Sequence, residues 1–130
     1  MVIDHVTLRT LDLCGTRDFM MQVFDLVEGR RPIEISGIAG HWLYSDGEPL
    51  VHIIESHGSG LLRVSEFIDH VGFRMGDYEA FKAKLEYLGI AYRTMQVPSL
   101  NERRIFLRTP GGQLLETVFS NPVEKADREM

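Results

Sequence analysis

The stretch Ile3-Asp4-His5-Val6 returns as Ile68-Asp69-His70-Val71, 65 positions further on. The same shift sets Arg9 on Arg74 and Asp12 on Asp77. A second anchor closes each half. GEPLVHIIES (47–56) lies over GGQLLETVFS (111–120), with Gly47 on Gly111, His52 on Glu116 and Ser56 on Ser120. His52 follows His5 by 47 residues and Glu116 follows His70 by 46, so both anchors keep nearly one spacing. A repeat of this length marks a duplicated supersecondary unit, and it settles the fold before any single element does.

Each half reads β-α-β-β-β. VIDHVTLRT (2–10) alternates and is rich in β-branched residues, as a half-buried strand is. A helix follows, capped by Asp12 or Thr16, with Phe19, Met20, Val23, Phe24 and Val27 at helical spacing. Strands are expected around 31–36, 40–45 and 49–55. The second half gives a strand at 68–75, then a helix capped by Asp77 with Phe81, Leu85 and Leu88 as its apolar stripe. Gly89 ends that helix at the position that favours glycine. Further strands are expected near 91–97, 103–108 and 113–119. The fold class is therefore α+β, with two tandem βαβββ modules forming a cupped mixed sheet around a cleft. Module one spans 1–56 and module two 68–120, with a linker at 57–67 around Gly58-Ser59-Gly60 and a solvated tail at 121–130.

Side chains alternate along a strand, so His5, Thr7 and Arg9 share a face, as do His70, Gly72 and Arg74. A single histidine in an apolar strand is ordinarily a hydrogen-bonded core residue. Four ligand-type residues at matched places in a repeat carry another meaning. A glutamate inside QLLETVF (113–119) is costly to bury unless it is paired or bound to a metal. The candidate metal ligands are His5, His52, His70 and Glu116. Three imidazoles and a carboxylate suit Zn, Ni, Co, Mn or Fe(II). His52 and Glu116 are also the candidates for moving a proton. Arg9, Arg74 and Arg108 are candidate forks for a substrate acid group, and Arg103 or Arg104 could serve instead. Trp42, Tyr44 and Phe106 could line the cleft. His41 and His57 are expected in solvent. Glu55 is passed over for His52, because the gapless repeat sets Glu55 on Phe119. Cys14, near a helix start, has nothing else beside it to suggest a catalytic thiol.

Composition fits this reading. A net charge of −5, with no basic run longer than a pair, argues against a nucleic-acid partner. One cysteine allows no internal disulfide, so a reducing cytoplasm is the expected compartment. No basic-then-apolar leader opens the sequence, and no apolar run approaches bilayer length, so neither a secretory signal nor a membrane partner is expected.

The segments DHVTLRTLDL (4–13), DHVGFRMGDYEAFKAKLEYLGI (69–90) and FLRTPGGQLLETVF (106–119) resemble the vicinal oxygen chelate superfamily. It includes glyoxalase I, methylmalonyl-CoA epimerase, fosfomycin-resistance thiol transferases, extradiol dioxygenases and bleomycin-binding proteins. The last segment is similar to the family's F-x-D-P-D-G-x-x-x-E ending, with Thr109 and Gly111 where aspartates are usual. The resemblance implies paired modules around a divalent metal, with His5, His70 and Glu116 at the family's ligand positions. His52 stands where glyoxalase I has glutamate and the epimerase glutamine. The implied activity is that of a metal-dependent lyase or isomerase acting on a small oxygen-chelating hydroxy- or keto-acid. An Fe(II) ring-cleaving dioxygenase is the alternative, although Phe106 stands where those enzymes carry a tyrosine. A non-catalytic, bleomycin-resistance-like binder of a small molecule is the second alternative. The resemblance also implies a homodimer, and leaves open whether the modules of one chain or of two share a site.

Overall fold

A computed structural model describes residues 2–56 and 70–122. Residues 2–56 and 108–113 form one compact unit, and residues 70–107 and 114–122 another. The first unit holds β1 (Val6–Thr10), α1 (Leu13–Phe24), β2 (Val27–Gly29), β3 (Gly40–Ser45) and β4 (Glu48–Glu55). The second holds β5 (Val71–Arg74), α2 (Tyr78–Leu88), β6 (Arg93–Val97), β7 (Glu102–Arg108) and β8 (Leu114–Ser120), with the turn between β7 and β8 packed in the first unit. The strand orders are β1-β4-β3-β2 and β5-β8-β7-β6. In each sheet the first strand runs parallel to the last, and the outer pair is antiparallel. Two βαβββ modules with mixed four-stranded sheets are thus present.

The duplication persists in the hydrogen-bond register. Thr7 pairs with His52 in the first sheet, and Gly72 pairs with Glu116 in the second. The sequence shift that sets His5 on His70 also sets Thr7 on Gly72, so His52 and Glu116 occupy equivalent places on the second strand of each sheet.

Both helices begin where an aspartate meets the orphan amides of the first turn. Asp12 accepts from the Gly15 amide at 2.9 Å, and Asp77 from the Ala80 amide at 3.0 Å. Met20 and Val23 turn inward from α1, which packs on β3 and β4. Leu8, Leu43, Val51 and Ile53 form the sheet side of that core. In the second unit Phe119 meets Tyr78 edge-on at 5.4 Å and Phe81 at 5.8 Å. Gly89, at φ 70°, ends α2, and the Ile90 amide reaches back to the Leu85 carbonyl. That is the reversed turn which glycine makes without steric cost.

Three expectations need correction. The strand expected at 31–36 is absent. Val27–Gly29 forms β2 instead, and Ile33–Ile35 is a short 3-10 turn entered from Pro32 at φ −59°. Proline lacks the amide a ladder needs, and the Arg31 guanidinium ties the loop by donating to the carbonyls of Gly40 at 3.1 Å and Ile38 at 2.6 Å. Val27 consequently belongs to β2, 64% exposed, and not to the helix stripe. The first strands are also shorter than read. His5 and His70 stand one residue before β1 and β5, because pairing begins at Val6 with Val51 and at Val71 with Leu115. The linker 57–67, His57 and most of the tail lie outside the described residues.

Candidate functional site

In a sheet, residues paired across strands share a face. Thr7, His52 and Trp42 therefore form one row across β1, β4 and β3, on the face opposite Leu8, Leu43, Val51 and Ile53. The left-handed Asp46-Gly47 turn, at φ 49° and 82°, joins β3 to β4, and a one-residue register shift between Leu43 and Tyr44 then sets Trp42 opposite His52. His52 is 8% exposed, and its ring is sandwiched between two others. Trp42 stacks on it at 3.9 Å between centroids and 6° between planes. His5 stacks on the other side at 3.9 Å and 18°. Burial pushes the His52 imidazole below the ordinary histidine range, and neighbouring His5 adds to the push. The ring is neutral near pH 7, and its Nε2 is buried with no hydrogen-bond partner. An unpartnered buried acceptor costs free energy that a purely structural residue would be expected to avoid.

His5 is anchored differently. Asp4 contacts its Nδ1 at 2.7 Å, and a carboxylate on one ring nitrogen leaves the other available as a metal ligand. Sequence reading passed over Asp4, although IDHV carries an aspartate before the histidine in both copies.

The second unit presents a charged network. Glu116, 8% exposed on β8, has each oxygen engaged. Oε2 meets His70 Nε2 at 2.9 Å, and Oε1 meets Arg104 Nη1 at 3.2 Å. Arg104 also donates to Glu102 at 2.7 Å, and Arg74 donates to the other oxygen of Glu102 at 2.9 Å. Arg74 reaches the Ser120 hydroxyl at 3.3 Å as well. These two guanidinium groups hold the Glu102 carboxyl below the usual carboxylate range, and Glu102 in turn raises the Arg104 pKa.

The sequence candidates thus fall into two pairs, His5 with His52 and His70 with Glu116. Among the described residues no three His, Cys, Asp or Glu side chains form a group that could hold a metal ion. Each pair by itself carries ligand-type donors: in the first unit an orphaned imidazole nitrogen and an imidazole oriented by a carboxylate, in the second an imidazole against a carboxylate oxygen. Of the expected anion forks, Arg74 is spent on Glu102, and Arg108 donates to the Gly112 carbonyl at 2.9 Å. Arg9 is exposed on β1, and among the described residues no hydrogen bond or ion pair holds its side chain. The Tyr44 hydroxyl donates to the Arg30 carbonyl at 2.7 Å. Phe106 is half-buried on β7 opposite Arg93. His41 is not the solvated group expected. It pairs with Leu43's neighbour strand on the helix side of the sheet, and its Nδ1 lies 2.5 Å from the Glu28 carboxylate.

The architecture and the register define a class. The chain has a glyoxalase-like fold. A glyoxalase family protein from Bacillus anthracis superposes with a TM-score of 0.76 at 21% identity, over 93% of this chain and 96% of that one. A glyoxylase/bleomycin resistance protein/dioxygenase domain from Frankia sp. EAN1pec gives 0.73 at 17% identity, over 98% of each chain. The fosfomycin resistance protein FosX from Listeria monocytogenes gives 0.71 at 17% identity, over 93% of this chain and 94% of that one. FosX has been crystallised with Mn(II) and sulfate ion. No protein-family model and no curated protein matches the chain. No helix among the described residues is long and apolar enough to cross a membrane.

Proposed function

We propose that this protein is a divalent-metal-dependent enzyme, a lyase or isomerase acting on a small oxygen-chelating hydroxy- or keto-acid. The observation that carries the proposal is the shared register. Thr7 beside His52 and Gly72 beside Glu116 give each module a histidine ahead of its first strand and a ligand-type residue on the strand paired to it. The fold similarity to FosX, a protein crystallised with Mn(II), supports a divalent ion.

His5, His70 and Glu116 would hold the metal, with His52 as a fourth candidate. When bound, the ion would act as a Lewis acid toward two neighbouring substrate oxygens. Near-parallel rings direct their in-plane lone pairs side by side, whereas ligands of one ion must converge. The 18° stack of His5 on His52 therefore favours His5 as ligand and His52 Nε2 as proton acceptor. Burial favours the neutral form of the His52 ring, the form able to accept a proton. Arg9, whose side chain has no partner among the described residues, would hold the substrate's acid group. Trp42 fixes the plane of His52, and Phe106 would give an apolar wall. The reading includes one domain over 1–120, a homodimer and a cytoplasmic location.

A second reading, a non-catalytic small-molecule binder, draws on the fold similarity to a glyoxylase/bleomycin resistance protein/dioxygenase domain. Mn(II), Zn, Ni, Co and Fe(II) titrations of metal-stripped protein separate the two. Stoichiometric binding that disappears in His5→Ala and Glu116→Ala, with unfolding curves preserved, supports the enzyme. Full occupancy in both variants would sink the proposed ligands, and no uptake of any ion leaves the binder.

A further inference from the structure

We propose that Arg104 is a positioning residue for Glu116, occupying Oε1 so that Oε2 alone is presented to a bound cation. The inference rests on the metal reading above and assigns the site a part that the repeat did not reveal. A carboxylate buried on a central strand must be paired, or its charge is not tolerated. Glu116 meets this demand asymmetrically. Its Oε1 faces a guanidinium, and its Oε2 faces an imidazole of the ligand type. An imidazole can exchange a carboxylate partner for a metal by releasing a proton, whereas a guanidinium cannot. The oxygen on Arg104 therefore lies beside a fixed positive charge that disfavours a cation, whereas the oxygen on His70 can be given up to one.

Arg104 is itself held in place. Its second terminal nitrogen lies 2.7 Å from Glu102, and Glu102 is braced from behind by Arg74 at 2.9 Å. Four charges thus alternate on one face of the second sheet in the order Glu116, Arg104, Glu102, Arg74. Moving Arg104 toward a substrate would leave Oε1 of Glu102 without its guanidinium on a residue only 9% exposed. For this reason Arg104 serves the carboxylate and not a substrate anion. The consequence is a one-oxygen, fixed-rotamer carboxylate ligand. Groups that orient a ligand in this way typically govern metal affinity by about 10- to 100-fold.

The test uses metal-stripped full-length protein and Mn(II) alone, with free Mn(II) followed by its EPR signal and folding followed by thermal unfolding. Arg104→Gln is expected to weaken Mn(II) binding by about 10- to 100-fold. Arg103→Gln is the charge control. It removes the same charge, but Arg103 lies 3.8 Å over the Tyr78 ring, and Mn(II) affinity should stay within about threefold of wild type. Glu102→Gln loosens Arg104 without touching Glu116 and should also weaken binding, giving a reading even where Arg104→Gln fails to fold. If wild type binds Mn(II) and Arg104→Gln or Glu102→Gln binds it equally well, the positioning role is overturned while the metal reading stands. Removing either positive charge should by itself favour a cation, so equal losses in Arg103→Gln and Arg104→Gln would trace the effect to a general disturbance of β7 and also overturn it. If wild type binds no Mn(II), the metal reading fails and this role falls with it.

Discussion

Replacing His52 by phenylalanine keeps a flat ring between Trp42 and His5 while deleting the buried, unpartnered Nε2. The magnitude follows from the contacts. Relieving an unsatisfied buried polar atom is worth about 1 to about 3 kcal/mol. The substitution also removes the ring's hydrogen bond to the Pro49 backbone, a loss of about 0.5 to about 1.5 kcal/mol. The larger ring adds strain of up to about 1 kcal/mol in a tightly packed stack. Both stacking contacts at 3.9 Å survive. Together these contributions run from about 1.5 kcal/mol of loss to about 2.5 kcal/mol of gain and centre on about 0.5 kcal/mol of gain, a rise of roughly 2 °C in Tm for a chain of this size. Unfolding by heat and by urea in EDTA measures this, and Mn(II) titration runs alongside. A loss above about 2 kcal/mol would show that His52 is an ordinary core residue and would refute the reasoning. A tenfold or greater loss of Mn(II) affinity would instead return His52 to the ligand set.

Glu102→Gln should cost stability at neutral pH and progressively less in acid. Because Arg74 and Arg104 depress its folded pKa, the contribution of Glu102 is present above the unfolded value near 4.5 and is lost as pH falls through the folded one. A wild-type-minus-variant difference that is flat from pH 7 to pH 3 would contradict this. Gly40→Ala should destabilise by about 3 kcal/mol, because an added Cβ would lie 2.1 Å from the Ile53 carbonyl oxygen, a backbone atom with no room to retreat. Urea midpoints test that cost, and an unchanged midpoint would refute it. Arg31→Lys should loosen the loop before β3, since an ammonium cannot copy the planar fork that spans the Gly40 and Ile38 carbonyls. Faster amide exchange at residues 33–39, with β1 and β4 unchanged, is the expected signature.

The duplicated IDHV determined the two modules, because a repeated unit must fold the same way twice. Asp12 and Asp77 marked both helix starts, since capping is a local interaction between a side chain and the next turn. Matching His52 to Glu116 needed only spacing, and the parallel register of β1 with β4 and of β5 with β8 places them accordingly. What the sequence could not determine depended on partners far along the chain. Nothing in Glu-Arg-Arg at 102–104 says which arginine meets Glu116. Strand alternation sends Arg103 to Tyr78 and Arg104 to the charged face, and the pairing of β8 beside β7 then decides the contact. The same holds for Arg74, a free-looking fork in sequence that Glu102 consumes, and for His41, which β2 brings against Glu28. Local chemistry is written in neighbouring residues. The choice of which charges neutralise one another belongs to the tertiary fold, because it depends on which strands lie side by side.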